Sequence, residues 1–365
     1  MTEWKECKLG DVVFFSNGKS RPDTSGYIPI YGGNGILEYT DQSNNDGETI
    51  IIGRVGAYCG SVYYENRPVW VSDNALAAKP KEQYYAKYLY YLLKFSDLNQ
   101  YAEGSSHPLL TQSLLNSIDI VFCDNIDEQK AIAEVLSSLD DKIDLLTRQN
   151  KTLEDLAQAY FRKWFIEDAS DEWEIKKLRD FGEIICGKTP PTTNKKFFNG
   201  NIPFIKIPDM HNNVYIFDTA DTLSEMGAKY QENKFIPPMS ICVSCIATVG
   251  LVSMNVFLSQ TNQQINSLIP KHDKYRYYLF LFLRSYRDEL LALGSGGTMT
   301  LNINKTLFGD IECYCPDDEI LFRFNNVVNP LFGKIYNNCK QIRILSKLRN
   351  TLLPKLISGE IRVKM

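Results

Sequence analysis

The sequence predicts an α+β fold built twice from one plan: two similar β-rich α/β domains separated by two long antiparallel helices that form a coiled coil, with pseudo-two-fold symmetry. Three observations carry that prediction. Motifs near the start of the chain return in the same order after residue 170, each copy is rich in short apolar runs punctuated by Gly, Asn and Pro, and each ends in a long heptad pattern. With 365 residues, 44% of them hydrophobic and 23% charged, the chain can bury two ordinary cores and is neither a disordered tail nor a disulfide mini-protein.

The duplication is read from the opening of each copy. Glu3-Trp4, Lys8-Leu9, Asp11, Gly18-Lys19-Ser20 and Pro22 return as Glu172-Trp173, Lys177-Leu178, Asp180, Gly187-Lys188-Thr189 and Pro191, at a constant offset of 169. Further on, Ile28-Pro29-Ile30 answers Ile202-Pro203-Phe204, the apolar strand ending Gly53-Arg54-Val55-Gly56 answers Ala247-Thr248-Val249-Gly250, and Ser72-Asp73-Asn74 answers Thr261-Asn262-Gln263. Tyr88 to Leu93 and Tyr277 to Leu283 are matching apolar helices. Leu110, Asp119-Ile120 and Asp127-Glu128 line up with Leu301, Asp310-Ile311 and Asp318-Glu319 at an offset of 191. The plan divides the chain into a first domain over 1–125, a spacer helix over 126–168, a second domain over 169–316 and a second spacer helix over 317–365.

The first helix carries a seam at Leu136, Leu139, Ile143, Leu146, Asn150, Leu153, Ala157, Tyr160 and Trp164, with steps that alternate three and four. The second repeats that alternation at Leu321, Phe324, Val328, Leu331, Ile335, Asn338, Ile342, Leu345, Arg349 and Leu352. Pro330 is expected to kink this helix or mark where it becomes regular, and Pro354 to end it. Each seam holds one Asn, a type that costs stability and fixes register or partner. Residues 126–168 carry six Lys/Arg against ten Asp/Glu and residues 317–365 nine against four, so opposite charge favours pairing of the two helices with each other. At about 1.5 Å rise per residue, helices of about 35 residues make a rod of roughly 50 Å.

Two similar heads on a stiff spacer suit a target that repeats along a line, and double-stranded DNA, with major grooves about 34 Å apart, is such a target. Dissimilar heads imply a bipartite, asymmetric sequence. Candidate contacts lie on polar loops, because Lys and Arg suit phosphate or guanine while Asn and Gln suit adenine. In the first domain they are Lys19, Ser20 and Arg21, Asn34 in the turn Gly33-Asn34-Gly35, Arg54 with Tyr58, Ser72, Asp73 and Asn74, and Ser105, Ser106 and His107. In the second they are Lys188 and Thr189, Thr192, Lys195 and Lys196, Lys206, Asn262, Gln263 and Gln264, and Thr298. The charge opposes unaided binding: residues 1–125 carry ten Lys/Arg against fifteen Asp/Glu, and residues 169–316 fifteen against fifteen. Other subunits are expected to supply phosphate contacts.

The order and duplication of these motifs resemble the specificity subunit of type I restriction-modification systems, over essentially the whole chain. The resemblance rests on the Trp-x-x-x-x-Leu-x-Asp openings with their Gly-Lys-Ser/Thr-x-Pro turns (Trp4 to Pro22, Trp173 to Pro191), on Tyr31-Gly32-Gly33-Asn34-Gly35-Ile36, and on Thr261-Asn262-Gln263-Gln264-Ile265-Asn266. The run from Asp127-Glu128-Gln129-Lys130-Ala131-Ile132 onward and the tail Leu353-Pro354-Lys355-Leu356-Ile357-Ser358-Gly359-Glu360-Ile361 look like the spacer regions of that family. The resemblance implies that each domain is a target recognition domain for half of a split DNA sequence. It also implies that the helices dock two methyltransferase subunits, which use S-adenosylmethionine on a flipped adenine, and that a restriction subunit using ATP and Mg can join. This chain would then hold no cofactor and catalyse nothing. One departure is that Asp318-Glu319-Ile320-Leu321 lacks the Gln-Lys pair of Glu128-Gln129-Lys130.

Catalytic alternatives are poorly supported by the residues. Gly182-Glu183-Ile184-Ile185-Cys186-Gly187-Lys188-Thr189 has phosphate-loop spacing, yet Pro190-Pro191 follow where a helix must start. Asn329-Pro330-Leu331-Phe332 lacks the second Pro of a methyltransferase loop, and Gly294-Ser295-Gly296-Gly297 follows a helix where a dinucleotide turn follows a strand. Glu128-Gln129-Lys130 has a nuclease-like local form but reads as a solvated helix start. Cys242-Val243-Ser244-Cys245, with no second pair at zinc spacing and only three His in the chain, reads as a buried strand and not a metal site. An interaction protein presenting two modules on a coiled coil, with no DNA target, is the alternative reading; it leaves the diverged polar loops unexplained. The absence of about 18 consecutive apolar residues, the polar N-terminus and nine scattered Cys suggest a cytoplasmic chain with reduced thiols, not a membrane protein.

Overall fold

The computed structural model describes residues 4–81, 84–104, 108–294 and 302–363. It has two compact units, Met1–Asp144 with Ile342–Met365, and Leu145–Gln341, so each unit holds one head and part of both long helices. No helix among the described residues is long and apolar enough to cross a membrane.

In the first unit, Trp4–Lys8 pairs antiparallel with Asp119–Cys123, and a helical turn, Leu9–Val12, leads into Val13–Asn17. That strand edges a four-stranded antiparallel sheet, continued by Ala75–Pro80, Thr49–Gly53 and Val62–Glu65. The central strand Thr49–Gly53 is buried throughout, as expected of the run Ile50-Ile51-Ile52. A smaller sheet sets Ile28–Gly32 between Gly35–Thr40 and the parallel Trp70–Val71. Helix Ala86–Phe95 buries Tyr88, Leu89, Leu92 and Leu93 in one cluster with Leu9, Phe15, Ile50, Ile52 and Phe122.

The second unit follows the same plan. Glu174–Lys177 pairs with Glu312–Cys315, the turn Leu178–Phe181 leads into Gly182–Cys186, and the main sheet continues through Ile265–Pro270, Ile241–Ser244 and Val252–Asn255 to an added fifth strand, Tyr215–Ile216. Phe198–Ile205 lies between Asp221–Leu223 and the parallel Gln260–Thr261. Cys242 and Cys245 are buried, Cys242 on the strand Ile241–Ser244, and burial pushes both thiols up to about 12. The phosphate-loop look-alike is the strand Gly182–Cys186, and no helix starts at Lys188 or Thr189.

Backbone hydrogen bonds match the copies residue for residue. Gly18 N–H donates to the Ala75 carbonyl as Gly187 does to Ile265, Lys19 to Val71 as Lys188 to Thr261, and Leu9 to Ile118 as Leu178 to Ile311. Three correspondences drawn from the sequence shift as a result. Ser72-Asp73-Asn74 matches Asn262-Gln263-Gln264; Arg54, which bonds Asn74 and Leu110, matches Cys245, which bonds Gln264 and Ile303; and Ile118 matches Ile311, an offset of 193 where 191 was expected. Turns between the strands differ in length, and residue identity in Gly- and Asn-rich segments cannot place the gap.

The first long helix spans Ile126–Arg162 and the second Asp318–Ile357. Within the second unit they run antiparallel: Trp164 lies against Phe324 with ring centroids 5.8 Å apart, and Asn338 Nδ2 donates to Asn150 Oδ1 at 2.9 Å. Within the first unit Arg349 pairs with Asp140 at 2.7 Å, and Leu352, Leu353, Leu356 and Ile357 share a cluster with Ile132, Ala133 and Leu136. Leu146, Asn150, Ile335 and Asn338 are buried, and Leu139, Ile143, Leu153, Ile342, Leu345 and Leu352 half-buried. The helix is already regular before Pro330, and Pro354 does not end it, since it runs from Asp318 through both prolines to Ile357. Pro330 is exposed, so water can solvate the carbonyl that its missing N–H leaves free.

Glu128 also departs from its reading as a solvated helix start. It is 2% exposed, forms a two-pronged ion pair with Arg362 and accepts from the Cys123 thiol. Gln129, fully buried, accepts from Tyr85 N–H and donates to the Cys123 carbonyl. In the other unit Tyr275 N–H is satisfied by the His272 carbonyl, which leaves the corresponding helix position free to be the buried Leu321. That exchange accounts locally for the missing Gln.

Candidate nucleic-acid interface

In the first head the polar loops converge on the end of strand Val13–Asn17. A Cβ on Gly18 would collide with the Ser72 carbonyl, so only glycine lets the strand end pass that close. Arg54 N–H bonds the Asn74 carbonyl at 3.1 Å and its Nη1 bonds Asn17 Oδ1 at 3.1 Å, while its buried Nε has no partner among the described residues. Gly33 lies beside Asn74, Gly53 and Tyr58. Lys19, Ser20, Arg21, Asn34, Tyr58, Asp73 and Asn74 are exposed. Arg21 is tied to Glu38 at 2.9 Å. Ser72 is different, being fully buried with its backbone N–H on the Tyr31 carbonyl, so it shapes the turn and presents nothing outward. Ser105, Ser106 and His107 lie outside the described residues.

In the second head Gly187 packs on Thr261 and Asn262 in the same way. Lys188 Nζ stands 5.8 Å over the Tyr230 ring, which rests on Phe197, and Thr189 Oγ1 donates to Gln263 Oε1 at 2.6 Å. Thr192, Lys195, Lys196 and Gln263 are exposed and Gln264 is half-buried. Asn262 is 7% exposed; its Oδ1 accepts from Gln264 N–H and its Nδ2 donates to Gln264 Oε1, so it works inside the turn. Lys206 is paired with Asp221 at 2.6 Å, which neutralises its charge locally. Thr298 lies outside the described residues. Sequence reasoning passed over Asn17, which orients Arg54, and Tyr230, an exposed aromatic on the helix Glu225–Tyr230.

A family model described as the type I restriction modification DNA specificity domain matches residues 1–155 and again residues 170–352. The chain belongs to this family. Among specificity subunits, it is 36% identical to that of the HindI type I restriction enzyme of Haemophilus influenzae, covering 99% of this chain and 100% of the relative. It is 30% identical to the MjaIX specificity subunit of Methanocaldococcus jannaschii, covering 100% of this chain and 90% of that one. Among solved structures, the type I restriction-modification S subunit from M. genitalium matches with a TM-score of 0.67 at 18% identity, covering 100% of this chain and 97% of the other. That likeness shows the shared fold, and the two matches to one family model fall on the two copies that the hydrogen bonds superimpose.

Proposed function

We propose that this specificity-family chain is a non-catalytic DNA-recognition subunit that reads a bipartite, asymmetric target, one half per head. The supporting observation is that one backbone scaffold, repeated bond for bond, carries different polar groups at its tip: exposed Asp73-Asn74 in the first copy, and exposed Gln263 with half-buried Gln264 in the second. A conserved frame with exchanged hydrogen-bonding tips suits two readers of two different base sequences. The acidic balance of residues 1–125 favours a complex in which partner subunits add phosphate contacts. In this reading the partners are two methyltransferase subunits, joined in a restriction-competent assembly by a restriction subunit. S-adenosylmethionine, ATP and Mg belong to those partners, and the assembly works in the cytoplasm.

The test is a genome-wide map of methylated adenines in the host with the gene deleted and restored. A two-part methylated motif that disappears and returns with the chain is expected. An unchanged map would overturn the proposal.

A further inference from the structure

The turn at the tip of each head is the same backbone object. Ser72 N–H bonds the Tyr31 carbonyl and Ala75 N–H the Ser72 carbonyl; Asn262 N–H bonds the Ile205 carbonyl and Ile265 N–H the Asn262 carbonyl. The middle residue of the turn is Asp73 in one copy and Gln263 in the other, and both are exposed. An ionised carboxylate only accepts hydrogen bonds, whereas a carboxamide accepts through oxygen and donates through nitrogen.

The Gln263 amide is held in one orientation. Its contact with Thr189 Oγ1 measures 2.6 Å, a length typical of O–H···O and short for N–H···O, so Oε1 faces Thr189 and Nε2 faces away. The neighbouring amide is set by the same logic. Asn262 Oδ1 accepts from Gln264 N–H, which makes the other arm of Asn262 the Nδ2 donor, and the Gln264 atom 2.8 Å from it must be Oε1. Both glutamines therefore turn N–H groups away from the turn.

We infer that the two heads read with opposite polarity at this position: Gln263, oriented by Thr189, donates to guanine O6 and N7, and Asp73 accepts from an amino-bearing base, cytosine N4 or adenine N6. Adenine is disfavoured at Gln263, because the bidentate amide–adenine pair needs the oxygen that Thr189 has turned inward. Thr189 is a positioning residue that acts through Gln263. The inference rests on the reading of the chain as a DNA-recognition subunit.

The experiment selects duplexes from a randomised DNA pool with the full chain, co-purified with the methyltransferase subunits from its host. Wild type, Gln263→Glu, Gln263→Met, Thr189→Val and Thr189→Ser are compared base by base. One position of one half-site is expected to be guanine in the wild type. There Thr189→Val loses about tenfold of the preference and admits adenine, while Thr189→Ser keeps it; Gln263→Met loses it and Gln263→Glu moves it to cytosine, with the other half-site unchanged. Intact sequence-specific binding with the same base preference in both Gln263 variants would overturn the inference and leave the DNA-recognition reading standing. A wild-type complex that selects no sequence would overturn both.

Discussion

Gly187 shows how a single residue holds the turn at the tip of the second head in place. A Cβ there would meet the Asn262 carbonyl and the Thr261 hydroxyl, so Gly187→Ala must push apart two backbone segments. A destabilisation of about 1–3 kcal/mol is expected for such overpacking, read as a lower urea midpoint, whereas alanine at exposed Thr192 leaves it unchanged. Buried thiols give a second prediction. Burial raises Cys242, Cys245 and Cys313 from 9.0 to about 12, so the folded state holds these protons more tightly than the unfolded chain. Their contribution is complete below pH 9.0 and is lost as pH climbs from there toward 12, and urea midpoints should fall across that interval. A midpoint flat above 9.0 would refute the assignment. At this scale the sequence was a partial guide: it marked the polar turns, but Ser72 and Asn262 face inward, because a polar residue in a turn can belong to the turn itself as readily as to a ligand, and Glu128 on the first long helix is buried against Arg362, a partner distant in sequence.

Among the elements, the helix pair was the most legible, since a three-four alternation has one structural solution, and the Asn150–Asn338 contact within the second unit meets it at its polar step. Asn338→Leu alone leaves Asn150 buried with fewer partners and should destabilise by about 1–3 kcal/mol. The double change to Leu should recover that loss, because two apolar groups replace a pair that costs desolvation, and it should do so at the expense of a single register. Denaturation midpoints together with disulfide trapping between the helices measure both effects; a double variant no more stable than the single would contradict this account. The strands were legible as apolar runs, but their pairing was not. Ile241–Ser244 forms a hairpin with the next strand, Val252–Asn255, but its other edge takes Ile265–Pro270, beyond the strand Gln260–Thr261, and the fifth strand Tyr215–Ile216 has no counterpart among the described residues of the first copy. Pro354 was misjudged as a helix stop because local propensity was weighed alone, whereas the helix runs on past it to Ile357.

For the whole molecule, the internal duplication was the decisive sequence signal, and the equivalent hydrogen bonds of the two units and the paired family match agree with it. Which bases the loops would meet under the proposed function was not legible, because side-chain polarity at a turn depends on partners such as Thr189 that lie far away in sequence. The central claim is that one chain carries two separate, dissimilar readers of DNA. Chemical footprinting of the co-purified complex on DNA carrying its methylated motif tests it most directly. Two protected blocks of different sequence, with only one of them weakened by Gln263→Met, is the predicted result. One continuous block, or equal weakening of both, would contradict the account.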